Sequence, residues 1–252
     1  MYTYQIQYQD LDQNMRLRIY TLENILLNAA SQNAYELGIG VDYLFNQNCT
    51  WVLTNLSLEM HYLPTVGEMV EIDTWVEQNI HMLSIRNFRL HIGDKLVGQA
   101  KSVWAIINLT DRTAQNLFDQ DVFSRLPLGE KLNIARAKRM QAFSQDEQES
   151  IGIGRWPHKV QYSDIDYNGH CNSCKYLEFM LNACEPMELK KSLPAKVDDI
   201  TASGLRIDIK YAREIHRGED VIVYFKQENQ QIAYEIRTKE NDISCQALIA
   251  RF

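Results

Sequence analysis

Asp166, Asn168 and His170 alternate immediately before a helical pattern. In an extended stretch, side chains at i, i+2 and i+4 face one way, so all three would line one pocket. Histidine exchanges protons near neutral pH, and a carboxylate or amide beside it can orient it or hold a polarised oxygen. Gly169 between them allows a strained turn or a close backbone approach. The helix start that follows offers N–H groups to a developing negative charge. The same run also reads as a plain Asp-x-Asn-Gly turn, with Asn172 or Ser173 capping the helix.

Other chemistries find less support. Cys171-x-x-Cys174 beside His170 has metal-like spacing, but no second pair follows, so the two cysteines read as small helix-face residues and no metal is expected. His61, His81, His91, His158 and His216 have no obvious partners and read as structural or exposed. No G-x-S-x-G elbow, Walker A loop or dinucleotide fingerprint is present, so a reaction without a cofactor is expected.

The elements that must carry these residues occur twice. Residues 2–8 alternate weakly, as a strand would. Leu22, Ile25, Leu26, Ala29, Ala30 and Leu37 then fall on one helical face, which Gly38 and Gly40 end. Strand patterns follow at 51–62, 69–76, 83–91 and 96–107, with Gly67 and Gly93-Asp94 at turns. The second half repeats the order: a strand at 158–162, a helical stripe through Leu177, Met180, Leu181 and Cys184, and strands at 205–211, 221–226, 232–237 and 243–250. Four local matches keep the same order. Residues 8–14 match 162–168, Leu22-Glu23 matches Leu177-Glu178, Gly67-Glu68 matches Gly218-Glu219, and Gln99-Ala100 matches Gln246-Ala247. Two copies of one fold follow, with the boundary in the polar stretch 144–154. Each copy reads as an amphipathic helix wrapped by a curved antiparallel sheet, an α+β class.

The copies differ where chemistry would reside. The first has Arg16 in place of His170 and Met15 in place of Gly169, while Asp12 and Asn14 match Asp166 and Asn168. Arginine stays charged and cannot shuttle protons near neutral pH. Aligning Ile207, Ile209 and Tyr211 with Leu56, Leu58 and Met60 sets Glu214 against Leu63. A carboxylate where the sister copy is apolar is a candidate for a buried, functional acid, although Arg213-Glu214 also reads as a solvated strand end.

Composition limits the remaining classes. With 26 Lys+Arg against 33 Asp+Glu the net charge is −7, which argues against a dedicated nucleic-acid binder. Five scattered cysteines suit a reducing compartment better than a disulfide framework. Without a signal-like start or an apolar run long enough to span a bilayer, the expectation is a cytoplasmic protein.

The run from Ser163 through Leu177 resembles the active-site segment of acyl-acyl carrier protein thioesterases. Trp51-Val-Leu-Thr-Asn-Leu, Pro64-Thr-Val-Gly-Glu, Asp73-Thr-Trp-Val, Lys101-Ser-Val-Trp-Ala-Ile-Ile-Asn and Tyr211-Ala-Arg-Glu-Ile-His-Arg-Gly-Glu resemble further parts of the same family, in order, over nearly the whole chain. The resemblance implies two tandem hotdog domains: 1–143, with a degenerate site on the acyl-pocket side, a linker at 144–154, and 155–252 carrying the chemistry. It implies release of free fatty acid from acyl carrier protein in fatty acid biosynthesis. Glu214 would activate water together with Asp166 and His170, and Asn168 would hold the carbonyl. Some members carry a Cys after the catalytic Glu; here Ile215 excludes a thiol mechanism at that position. Ser173 stands where an Asn is common, and no plastid-type segment precedes Tyr4, as in the short bacterial form.

Carrier protein is acidic, so docking onto a net-negative chain needs a local basic patch. Lys131, Arg136, Lys138 and Arg139 cluster before the linker, and Arg213 and Arg217 flank Glu214. An acyl-CoA thioesterase, a non-catalytic acyl-binding module and a hotdog dehydratase are the competing readings. Monomer and homodimer both remain open, because the two copies can satisfy hotdog pairing within one chain.

Overall fold

The structure is a computed structural model that describes residues 1–134 and 140–252. The first half contains β1 (Tyr2–Gln5), α1 (Ile19–Glu36), α2 (Val41–Asn46), β2 (Cys49–Met60), β3 (Met69–Ile80), β4 (Leu83–Ile92) and β5 (Lys95–Asn108). The second contains β6 (Gly154–Lys159), α3 (Ser173–Ala183), β7 (Leu205–Tyr211), β8 (Asp220–Glu228), β9 (Gln231–Thr238) and β10 (Ile243–Arg251).

The strands form one antiparallel sheet in the order β1-β3-β4-β5-β2-β7-β10-β9-β8-β6. This order is a palindrome of equivalents, since β2 and β7, the matching strands of the two copies, pair at its centre. There Ser57 stands opposite Asp208, the residue the sequence alignment makes its own equivalent. A residue can face its own equivalent only beside a pseudo-twofold axis, so the repeat read from sequence is also a symmetry of the fold. Ser57 Oγ donates to Asp208 Oδ1 (2.7 Å), and Arg206 bridges Glu59 (2.5 Å) and Asp208 (2.9 Å), which ties the central strands together.

The expected stripe Leu22, Ile25, Leu26, Ala29 and Ala30 of α1 is buried on the sheet. Leu177 and Met180 of α3 join the same continuous core, so the halves share one hydrophobic interior. Gly38 ends α1 with φ +74, and its amide donates to the Tyr35 carbonyl. A bulge between Leu53 and Asn55 bends β2, with the Thr54 hydroxyl donating to the Val103 carbonyl. Asn172, of the two capping candidates, caps α3 by accepting from the Cys174 amide (3.0 Å).

Candidate active site

A cleft of about 530 Å³ opens between the halves, and Asp166, Asn168, His170 and Glu214 all line it. The opposite wall belongs to the first half: Asn24 and Asn28 on α1, Thr54 at the β2 bulge, and Arg112 in the turn after β5. The site is therefore composite, with its acid, amide and imidazole on one half and much of its floor on the other.

The Asp166–His170 segment is not the extended stretch that its alternation suggests. It closes into a turn in which the Asp166 amide donates to the His170 carbonyl (2.8 Å) and the Gly169 amide to the Asp166 carbonyl (3.0 Å). Asp166 Oδ1 accepts from the Asn168 amide (2.8 Å) and, more weakly, from the His170 amide (3.4 Å). The carboxylate thus orients backbone rather than the His170 ring. The sister loop is built identically: Asp12 Oδ1 accepts from the amides of Asn14 (2.8 Å) and Arg16 (3.2 Å), and Met15 (φ +59) takes the left-handed position of Gly169 (φ +79). Turn and site are thus the same object.

The turn also narrows the options for holding an oxyanion. The amides of residues 168–172, 174 and 175 are all hydrogen-bonded within the protein, so the helix start offers less than the sequence suggests. The Asn168 side-chain amide has no protein partner among the described residues and lines the cleft. It is free to donate a hydrogen bond into the cleft.

Glu214 is not buried as expected; its side chain is 37 % exposed at the cleft edge. One carboxylate oxygen lies 3.5 Å from His170 Nε2, and the other forms an ion pair with Arg112. His216, which the sequence leaves without a partner, packs edge-on against His170 with ring centroids 4.9 Å apart. Tyr176 of α3 fixes the Glu214 backbone from beneath. Its hydroxyl donates to the Arg213 carbonyl (3.2 Å) and accepts from the Ile215 amide (3.1 Å). Sequence reasoning missed both supports. Tyr176 could have been flagged, because the sister helix has Thr21 there. Arg112 lies past the point at which the second copy ends, so the repeat gives no counterpart for it.

Beneath the cleft, Glu23 of α1 is fully buried and accepts a 2.6 Å hydrogen bond from Tyr211. Burial raises its pKa to about 7, against the Tyr211 hydroxyl, whose hydrogen bond favours the charged form. Tyr211 in turn packs edge-on against Tyr176, so this acid underlies the support of Glu214.

Cys171 and Cys174 are free and buried, and desolvation pushes both thiols far above the usual range. Neither supplies a thiolate near neutral pH. No cluster of metal-ligating side chains occurs among the described residues. Of the candidate docking residues, Lys131 is exposed, Arg213 is ion-paired with Asp242, and Arg217 lies over the Tyr162 ring (5.6 Å). Arg136, Lys138 and Arg139 lie outside the described residues.

The sister position is filled. Lys190, from the short helix Met187–Lys190, pairs with Asp12 (2.6 Å) and Glu185 (2.8 Å). Arg16 donates to the carbonyls of Lys190 (3.5 Å) and Leu193 (3.3 Å). Where His170 faces a cleft, Arg16 faces packed chain.

Residues 1–124 match the family model for the acyl-ACP thioesterase N-terminal domain, and residues 153–250 match that for the C-terminal domain. The chain belongs to the acyl-ACP thioesterase family. Among curated relatives, an acyl-[acyl-carrier-protein] hydrolase (FATB3, chloroplastic) of Cuphea viscosissima is 26 % identical over 79 % of this chain and 48 % of that protein. An oleoyl-acyl carrier protein thioesterase (chloroplastic) of Arabidopsis thaliana is 23 % identical over 84 % and 59 %. The chain therefore spans about half the length of the curated relatives it matches. The crystal structure of an acyl-ACP thioesterase from Bacteroides thetaiotaomicron superposes with a TM-score of 0.83 at 27 % identity, covering 100 % of this chain and 96 % of that one. A 12:0-ACP thioesterase from Umbellularia californica, at 15 % identity and TM-score 0.80, covers 100 % and 96 % and shares the fold. Family and fold agree with the tandem hotdog expectation. Among the described residues no helix is long and apolar enough to cross a membrane.

Proposed function

We propose that this chain hydrolyses the thioester of an acyl carrier protein and releases a free fatty acid, within fatty acid biosynthesis. The observation that carries this reading is the convergence of Glu214, His170 and a free Asn168 amide on one cleft. A carboxylate with one oxygen 3.5 Å from an imidazole can take a proton from water as the water oxygen bonds to the acyl carbon. Asn168 Nδ2 donates to the carbonyl oxygen as it becomes an oxyanion, a contact typically worth about 2.7–4 kcal/mol. The C–S bond then breaks and the leaving thiolate takes up the proton, relayed through His170. Asp166 holds the loop that carries both partners. Arg112 and Tyr176 hold Glu214 from opposite sides.

We take residues 1–143 and 155–252 as the two hotdog units, with 144–154 between them and one working site per chain. The filled sister position supports that count. Five free cysteines suit a reducing, cytoplasmic setting. For carrier-protein docking, the cluster at Lys131, Arg136, Lys138 and Arg139 and the pair Arg213 and Arg217 are the two candidate patches; Arg213 is ion-paired with Asp242 and Arg217 lies over the Tyr162 ring. Charge reversal at Arg136 and Lys138 raises KM for carrier-protein substrates if docking uses the first patch, and an unchanged KM excludes that patch. The function is tested by hydrolysis of a chain-length series of acyl carrier protein thioesters beside matched acyl-CoA thioesters. Faster turnover of the carrier-protein series supports this reading. Preference for acyl-CoA replaces it with an acyl-CoA thioesterase, and no hydrolysis of either with an a non-catalytic module.

A further inference from the structure

Arg86 of β4 is a buried guanidinium, 5 % exposed, with no carboxylate in ion-pair range among the described residues. Among the described residues its hydrogen bonds run from Nη1, which donates to Asn33 Oδ1 (2.6 Å) and Thr74 Oγ1 (3.1 Å). The other deeply buried arginines are matched differently: Arg206 pairs with Glu59 and Asp208, and Arg237 with Glu235. Leaving a buried charge uncompensated is expensive, which is why buried cations are normally paired. Desolvation alone pulls the Arg86 pKa down to about 10, with no opposing acid.

Arg86 lines a chamber of about 100 Å³ together with Ala30, Ala34, Ile39 and Ser84. Ser31, Trp51, Trp104 and Tyr167 form walls of both this chamber and the main cleft, so the chamber adjoins the cleft behind the two tryptophans. Small apolar side chains make room there, yet the charged group in the wall is wrong for a methyl-ended hydrocarbon, which would strip its remaining N–H groups of partners and offer none.

We propose that this chamber is a subsite for the far end of the acyl group, in which Arg86 selects chains carrying an oxygen acceptor there over chains ending in a methyl. A terminal carboxylate would be bound most tightly, because its hydrogen bonds to guanidinium are charge-assisted, and a hydroxyl or oxo group less so. The inference rests on the thioesterase reading for the reacting end of the substrate, but not for the far end.

The test compares kcat/KM of the full chain on carrier-protein thioesters in three arms of equal backbone length, ending in methyl, hydroxyl or carboxylate, over several lengths. At the length that reaches the chamber, the carboxylate and hydroxyl arms exceed the methyl arm by about tenfold or more, as expected for hydrogen bonds to a charged group. The carboxylate arm should exceed the hydroxyl arm, because its hydrogen bonds to the guanidinium are charge-assisted, and the reverse order overturns the carboxylate preference. In Arg86→Met the ratio collapses to one or below. Methyl-ended chains preferred at every length, or a ratio that survives Arg86→Met, overturns the proposal. If Arg86→Met does not fold, the wild-type ratio alone decides. If no thioester is hydrolysed, the thioesterase reading fails separately, and calorimetry of matched free acids decides this one. Dicarboxylic acids binding about tenfold tighter than monocarboxylic acids support the subsite, and equal affinities overturn it.

Discussion

Glu23 offers a stability test whose size follows from its surroundings. It is fully buried, Tyr211 donates to one oxygen, and the other has no hydrogen-bond partner among the described residues. Burial raises its pKa from an ordinary 4.5 to about 7. Below pH 4.5 the carboxyl is protonated in both the folded and unfolded chain and contributes no penalty. Between pH 4.5 and 7 the unfolded chain releases the proton while the folded chain keeps it, so stability falls as pH rises. Above pH 7 the loss is complete and constant. At about 1.36 kcal/mol for each tenfold change in proton activity, the span amounts to about 3 kcal/mol. Glu23→Gln keeps an acceptor for Tyr211 and cannot ionise. Urea unfolding of both proteins from pH 4.5 to 8.5, taken as a difference so that other titrations cancel, should show the variant gaining about 3 kcal/mol on the wild type as pH rises through 7. In a chain of this length that corresponds to a Tm gain of about 6–12 °C. A difference that stays flat across the range refutes the raised pKa, and with it the claim that a neutral acid underlies the site.

Three further outcomes follow from the geometry. Tyr176→Phe leaves the buried Ile215 amide without its acceptor and releases the Arg213 carbonyl. It should destabilise the chain by about 1–3 kcal/mol and lower kcat more than it raises KM, as steady-state kinetics and denaturation would show. Arg112→Met removes the cation that holds Glu214 from the opposite half, so kcat should fall about tenfold, with partial recovery in Arg112→Lys; turnover unaffected by either would dismiss Arg112 as a positioning residue. Because burial holds the thiols of Cys171 and Cys174 far above the usual range, iodoacetamide at pH 7.5 should leave hydrolysis intact, and rapid inactivation tracked to either cysteine would contradict this.

Much of this fold was legible because its signals are local or repeated. The α1 stripe from Leu22 to Ala30 has helical period, and the strand patterns overlap the observed strands to within a few residues at most ends. The repeat implies two copies of one fold, and the pairing of Ser57 with Asp208 adds that a pseudo-twofold relates them. The two residues that the copies' differences single out, His170 against Arg16 and Glu214 against Leu63, are ones that the structure brings together in the cleft. Illegible were features created by the long-range pairing itself. Nothing in the neighbourhood of Arg112 points to Glu214, because the two meet only when the halves close. Glu23 and Glu178 look equivalent in sequence, yet Glu23 lies under the cleft beside Tyr211 while Glu178 pairs with Lys175 (2.8 Å). The alternation of Asp166, Asn168 and His170 suggested an extended strand, but the short Asp side chain instead captures the amides two and four residues on and folds the segment into a turn.

The central claim is that Glu214 activates water for thioester hydrolysis in the cleft between the halves. Single-turnover hydrolysis of an acyl carrier protein thioester by the wild type and by Glu214→Gln tests it most directly. The account predicts release of free acid by the wild type and a rate at least about tenfold lower in the variant, a cautious reading of the range for positioned proton transfer. Equal rates, with both proteins folded, would contradict it.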